Sequence, residues 1–282
     1  MPVTITFPDL RLPEEWPVLV APPTRWEREP LAELARLHGM DAEFADRGLW
    51  HVARTDDRVL EVYAASQSFR LTTLTGGSEL DHASERGLPE DEARARAEDY
   101  LRPFLPDAAR YAGSRVSEAE VLVSEGPDTE PRRFVTGTQV SLRLAVEDVD
   151  LVGPGAKMQV TLGPDGEVTA AYRMWREVTR VGSAPGLDAA RLAERLGSSP
   201  MFASLTDDTA RVEVESVVAG LLCVPPTEHQ SVLHPAVAVR GTVSTEAAPG
   251  LGFVTYLSAV DPRRLPADKG RRPARVPSLV LA

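Results

Sequence analysis

Three short stretches with helical spacing, each followed by runs that alternate like strands, limit what this 282-residue chain can fold into. In the first, Leu31, Leu34, Ala35 and His38 share one helical face and Gly39 supplies a left-handed stop. The second opens at Leu88-Pro-Glu-Asp-Glu-Ala, where a proline and early acids suit the positive end of a helix, and continues to Phe104. The third, Leu187 to Leu196, ends at Gly197 as the first ends at Gly39. Strand-like runs follow each. After the first stretch they are residues 49–54, 59–65 and 69–74, with Asp56-Asp57 suited to a turn. After the second they are 117–124, 134–146 and 157–162, and Gly163-Pro-Asp-Gly166 then gives a strong hairpin signal into 167–178. After the third they are 210–218, 237–243 and 253–259.

This pattern predicts an α+β fold of repeated helix-plus-antiparallel-sheet units, each curled sheet covered by one helix. The expected divisions are 1–77, 78–181 and 182–262, followed by a basic, proline-rich tail at 263–282 that carries Arg263, Arg264, Lys269, Arg271, Arg272 and Arg275. Such units leave a sheet face and open edges on which a partner can dock.

Charge narrows the function classes. A net charge of -11 repels phosphate backbones and anionic membranes, so nucleic acid is not an expected partner. Cys223 is the only cysteine, which leaves no intrachain disulfide to form. The first twenty residues lack a basic leader and an apolar core of signal-peptide length, and no apolar run approaches bilayer thickness. The expected location is therefore cytoplasmic, with no membrane span.

The segment Leu151-Val-Gly-Pro-Gly-Ala-Lys-Met-Gln-Val-Thr-Leu-Gly-Pro-Asp-Gly-Glu-Val, with Tyr172 and Trp175-Arg176 after it, resembles PepSY-like and YycH/YycI-type regulatory proteins. A second echo lies at His229-Gln-Ser-Val-Leu-His-Pro-Ala-Val-Ala-Val-Arg-Gly241. The resemblance implies a PepSY/cystatin-like fold and an inhibitory, chaperone-like or protein-binding role, with no catalytic residues to carry over.

Cys223, Glu228, His229 and His234 lie in one segment, but Pro225-Pro226 interrupts it and no second ligand pair accompanies it, so no metal is expected. Asp81-His82 beside Glu79 could act as a general base, yet no nucleophile motif accompanies it. Glu147, Asp148 and Asp150 fit a solvated turn better than a cation loop. Strand parity sets Phe253 against Tyr256 and Tyr172 against Trp175, so one ring of each pair should leave the core. Trp50, Tyr172, Trp175, His229 and His234 are accordingly the expected ligand-binding residues. The expected function is a cofactor-free, non-enzymatic module that engages a protein or peptide through a sheet face or edge. The alternative is a cofactor-free, cyclase-like enzyme of specialised metabolism that holds an apolar small molecule in an aromatic cavity.

Overall fold

The computed structural model describes residues 5–6, 12–74, 84, 86–124, 126, 130–203, 211–244 and 250–267. They belong to two compact units, each assembled from separated stretches of chain. The first unit takes Met1–Pro22, Glu147–Gly155 and Val178–Ala282; the second takes Pro23–Val146 and Ala156–Glu177.

In the first unit, β13 (Arg211–Leu222) and β14 (Val232–Ser244) form a long antiparallel pair, with β15 (Leu251–Ser258) on the far side of β14. Two short strands, β1 (Ile5–Thr6) and β9 (Val149–Val152), run parallel to β13. Strand β2 (Glu15–Val20) pairs antiparallel with β12 (Thr179–Pro185) and with the start of β14. Alternation along β13, β14 and β15 sends Val212, Val237, Val239, Phe253 and Leu257 inward, where they meet Trp16 and Val18 of β2. Helix α3 (Ala189–Gly197) adds Leu192 and Leu196 to the same core. Its start is fixed by Asp188, whose carboxylate accepts the Arg191 amide at 2.8 Å.

The second unit holds an all-antiparallel sheet in the order β3 (Ala45–Asp46), β4 (Trp50–Arg54), β5 (Arg58–Tyr63), β6 (Phe69–Thr73), β11 (Val168–Arg173), β10 (Lys157–Leu162), β8 (Arg132–Val146) and β7 (Ala109–Val123). The β10–β11 hairpin forms where Gly163-Pro-Asp-Gly166 predicts it. Gly166 takes φ 80 and its amide reaches the Gly163 carbonyl at 2.9 Å. One face of this sheet is apolar, with Leu60, Phe69, Leu71, Ala171, Met158, Val160 and Leu142 all buried. Helix α2 (Glu90–Leu101) packs on β7, β8 and β10 through Ala93, Ala97 and Leu101, spaced by four residues so that small side chains let the helix approach closely. Helix α1 (Arg28–Leu37) buries Leu31, Leu34 and Ala35, as its spacing predicts.

The expected architecture needs correction. Strands dominate both units, and the described strands do not form a separate helix-covered sheet in each pass. The expected passes do not close on themselves either. Strand β6 pairs with β11, which fuses the first and second into one sheet, while β2 leaves the first pass to pair with β12 and β14 of the third. The reason is physical: alternation and turn residues specify that a strand exists, but its partner is chosen by which apolar faces can be buried together. Within the basic tail, Arg263 pairs with Asp261 at 2.7 Å, and Lys269, Arg271, Arg272 and Arg275 lie outside the described residues.

Gly155 gives a direct test of packing in the first unit. Its amide donates to the Cys223 carbonyl at 3.0 Å, and a Cβ placed on it would stand 2.0 Å from the Val224 carbonyl oxygen. Because that neighbour is backbone, Gly155→Ala is expected to lower unfolding free energy by about 2 kcal/mol, read as a lower urea midpoint at unchanged slope.

Candidate functional site

The outward face of the second unit's sheet is built from the side chains that alternate with the core. Register places Glu61, Arg70, Tyr172, Gln159, Ser141 and Arg115 side by side across β5, β6, β11, β10, β8 and β7. In the next rows Lys157 stands opposite Arg143, and Ala170, Thr161 and Gln139 follow one another. Arg70, Leu71, Gln139, Lys157, Gln159 and Tyr172 are among the residues that line an open groove of about 360 Å³ on this face. Its floor is strand backbone, which holds side chains in place more tightly than a loop can.

Two features of this face concern its charge. Lys157 and Arg143 are like charges directly opposite each other on neighbouring strands, an arrangement that costs stability. Arg115, Arg70, Lys157 and Arg143 also gather on one surface of a chain whose net charge is -11. At the rim, the Tyr63 and Tyr172 rings meet edge to face at 6.3 Å and their hydroxyls lie 3.2 Å apart. Burial, followed by that shared hydrogen bond, raises the Tyr63 phenol above its ordinary range.

A second, larger groove of about 650 Å³ lies beside Arg28, Leu31, Asp41, Glu43, Phe44, Asp46 and His51. Among the described residues that line it the guanidinium is that of Arg28, which pairs with Glu43 at 2.8 Å, and the carboxylates of Asp41, Glu43 and Asp46 make it a poor site for an anion. Among the described residues no group of three or more histidine, cysteine, aspartate or glutamate side chains is placed to hold a metal ion.

Beneath the sheet lies a buried polar cluster. His38 is 3% exposed, and its Nδ1 sits 2.7 Å from the Tyr100 hydroxyl. The imidazole stacks on Phe104 at 4.6 Å and meets Phe69 edge-on at 4.7 Å. Arg58 donates to the His38 carbonyl at 2.6 Å, and Arg173 donates to the carbonyls of Gln67 and Phe104 at 2.6 and 3.0 Å while lying over the Phe69 ring. Burial, then the nearby charges of Arg173 and Arg58, lowers the His38 pKa to about 4, so the ring is neutral at pH 7. A perturbed histidine often marks catalysis, but this one is enclosed by Phe69 and Phe104 and faces cations, which makes it part of the core.

The expected site residues are dispersed. Trp50 is half-buried on β4 opposite Tyr63, and Tyr172 reaches the groove. Trp175 is 4% exposed; its amide donates to Ser68 Oγ at 2.9 Å, and its carbonyl accepts the Gln67 amide at 3.2 Å. His229 and His234 belong to the first unit, His229 on an exposed turn and His234 within β14. The organiser of that turn is Gln230, which bridges the Leu222 and Val232 carbonyls and accepts the Val224 amide. Glu147 and Asp148 take left-handed φ values of 48 and 64, the conformation of a tight turn. Asp81, His82 and Glu79 lie outside the described residues. Sequence reasoning missed Arg70, Gln139, Lys157 and Gln159. The polar positions between Met158, Val160 and Leu162 were the available signal.

No protein-family model and no curated protein matches the chain. Among solved structures, the crystal structure of an uncharacterized protein from Eubacterium rectale ATCC 33656 is similar, with 8% identity and a TM-score of 0.53 over 88% of this chain and 85% of its own. At that identity the likeness concerns the fold alone. No described helix is long and apolar enough to cross a membrane.

Two measurements check this assignment of core and surface. Trp175→Ala should cost about 3 kcal/mol or more, because the ring is buried, and a thermal shift near zero would contradict it. His38 is neutral in the fold but gains a proton near pH 6.5 when unfolded, so its stabilisation is complete above 6.5 and lost as pH falls toward 4. The loss should reach about 3 kcal/mol, and His38→Phe should flatten that part of the stability profile relative to wild type.

Proposed function

We propose that the protein is a non-enzymatic binding module whose second unit takes an acidic, extended segment of a partner protein on its outward sheet face. The observation that carries this reading is the register that sets Lys157 opposite Arg143, with Arg70 and Arg115 on the same face, in a chain whose net charge is -11. Like charges held side by side in a sheet are tolerated where an anion compensates them, and such a field steers an oppositely charged partner toward the groove. Gln139, Gln159 and Thr161 add donors and acceptors suited to a peptide backbone. The reading keeps the binding role that the PepSY-like resemblance implies and drops the repeated-unit fold. The apolar-ligand alternative has less support, since Trp175 is committed to the core and Arg70, Gln139, Lys157 and Gln159 line the groove. A cytoplasmic setting belongs to the same proposal and is supported by the single, buried cysteine.

The test is fluorescence anisotropy with a labelled oligo-glutamate peptide. Wild type should bind it in a salt-sensitive manner, and Arg70→Glu with Lys157→Glu should weaken binding by roughly tenfold or more without changing the circular dichroism spectrum. Unchanged affinity in the double variant, or tighter binding of a single-stranded oligonucleotide of equal charge, would refute the proposal.

A further inference from the structure

We infer that the outer edge of β15 is a self-association surface on which a second copy of the chain pairs antiparallel. Edge strands are normally guarded by charge, proline or a bulge. The edge of β7 carries Arg110, Arg115, Glu118 and Glu120 and has register shifts at Tyr111/Gly113 and Ala119/Glu120. The edge of β12 carries Arg180 and Pro185 and shifts between Arg180 and Gly182. Strand β15, Leu-Gly-Phe-Val-Thr-Tyr-Leu-Ser, has no charged residue, no proline and an unbroken register against β14, and no described strand pairs with its other side.

The hydrogen-bonding direction can be read from one contact. The Ala259 amide donates to the Pro235 carbonyl at 2.9 Å, so by alternation the residues Leu257, Thr255 and Phe253 turn their amide groups toward β14. Those of Gly252, Val254 and Tyr256 then point outward. Ser258 also points outward, and its carbonyl is already taken by Arg195 at 3.1 Å. At the other end Gly250 turns the chain with φ 75 and donates to Ser244 Oγ at 3.2 Å. The open stretch is therefore Gly252 to Tyr256, centred on Val254.

A two-fold axis at Val254 makes this stretch self-complementary. Val254 faces Val254 of the second copy, and Gly252 faces its Tyr256, each pair exchanging both N–H···O bonds. Nothing lies within 4 Å of where a Gly252 side chain would begin, so the space over that glycine is free for the incoming tyrosine ring. Leu251 meets Leu257 on the other face. One row running inward from the edge is apolar, with Val218, Ala238 and Tyr256 adjoining, and Val218, Val254 and Tyr256 are 41%, 55% and 37% exposed; in the row of Val254 the neighbour is Arg240, which pairs with Glu215 at 3.5 Å. With no charge on the strand, two acidic copies meet without a like-charge contact at the axis. A contact of this length is smaller than the roughly 800 Å² per partner of a standard interface, which sets the association in the micromolar range or weaker.

Sedimentation velocity of the full chain across about 5 to 500 μM tests this. Wild type should shift from monomer to dimer with little dependence on salt, and Val254→Lys, which sets two ammonium groups against each other at the axis, should leave a monomer of unchanged thermal stability. Leu122→Lys on the β7 edge should leave the dimer intact. Wild type that stays monomeric throughout, or a dimer unmoved by Val254→Lys, overturns the inference. If Val254→Lys fails to fold, Tyr256→Ala, which removes only the ring over Gly252, should weaken the dimer at least fivefold, and no weakening has the same overturning force.

Discussion

The second unit depends on one pairing, that of β6 with β11. Phe69 to Thr72 align with Arg173 to Ala170, and Arg173 donates to the Gln67 carbonyl across 106 positions of chain. Closing so long a loop is entropically unfavourable, so the pairing must be secured by what it buries and satisfies. Leu71 and Ala171 bury each other on the inner face, and the guanidinium of Arg173 fixes the end of the ladder by bonding two backbone carbonyls. The same alignment sets Arg70 beside Tyr172 on the outer face. Core and groove are two sides of one register, and a slip by a single residue would exchange them.

The Arg173 guanidinium explains why proton affinities beneath the sheet depart from ordinary values without any reaction to perform. Among the described residues no carboxylate pairs with it; carbonyl oxygens and the face of Phe69 receive it instead. Its charge, with that of Arg58 nearby, keeps His38 neutral, and a neutral imidazole can stack flat on Phe104 as an aromatic ring would. The Tyr100 phenol, also desolvated, is held in its protonated form and shares its hydroxyl with the imidazole. Desolvation is the leading cause of each shift, and the imidazole at the centre of the cluster is 3% exposed. That combination distinguishes a polar core from a reaction centre, which must admit a substrate.

Local chemistry was legible in the sequence wherever the chain decides by itself. The stripe Leu31, Leu34, Ala35, His38 forms α1, the hairpin at Gly163 to Gly166 forms as its dipeptide demands, and Phe253 turns inward while Tyr256 turns out. Pairing was not legible, because β2 carries no mark that it will join β12 and β14 in place of its neighbours along the chain. The groove was hidden for the same reason. Arg70, Lys157 and Gln139 come from three strands whose order in the sheet is not their order in sequence, so no motif links them. His38 was visible as a core position, but Tyr100 and Arg173 beside it lie more than sixty residues away and Arg58 lies twenty away.

The two surfaces available for recognition follow opposite physical rules, and each is informative because it departs from what folding alone would select. Lys157 opposite Arg143 is a like-charge pair that an anion would relieve, and β15 is an edge strand with no charged residue to guard it. On the outward face of the second unit the cost is electrostatic, so the proposed compensating group is an anion, whose binding would weaken with salt. On the edge of the first unit the cost is unsatisfied backbone and exposed apolar surface, so the compensating group must be another strand, and salt should matter little. Because the two costs are relieved by different chemistry in different units, occupation of one surface supplies nothing that the other lacks, and each can be removed by substitution without disturbing the other.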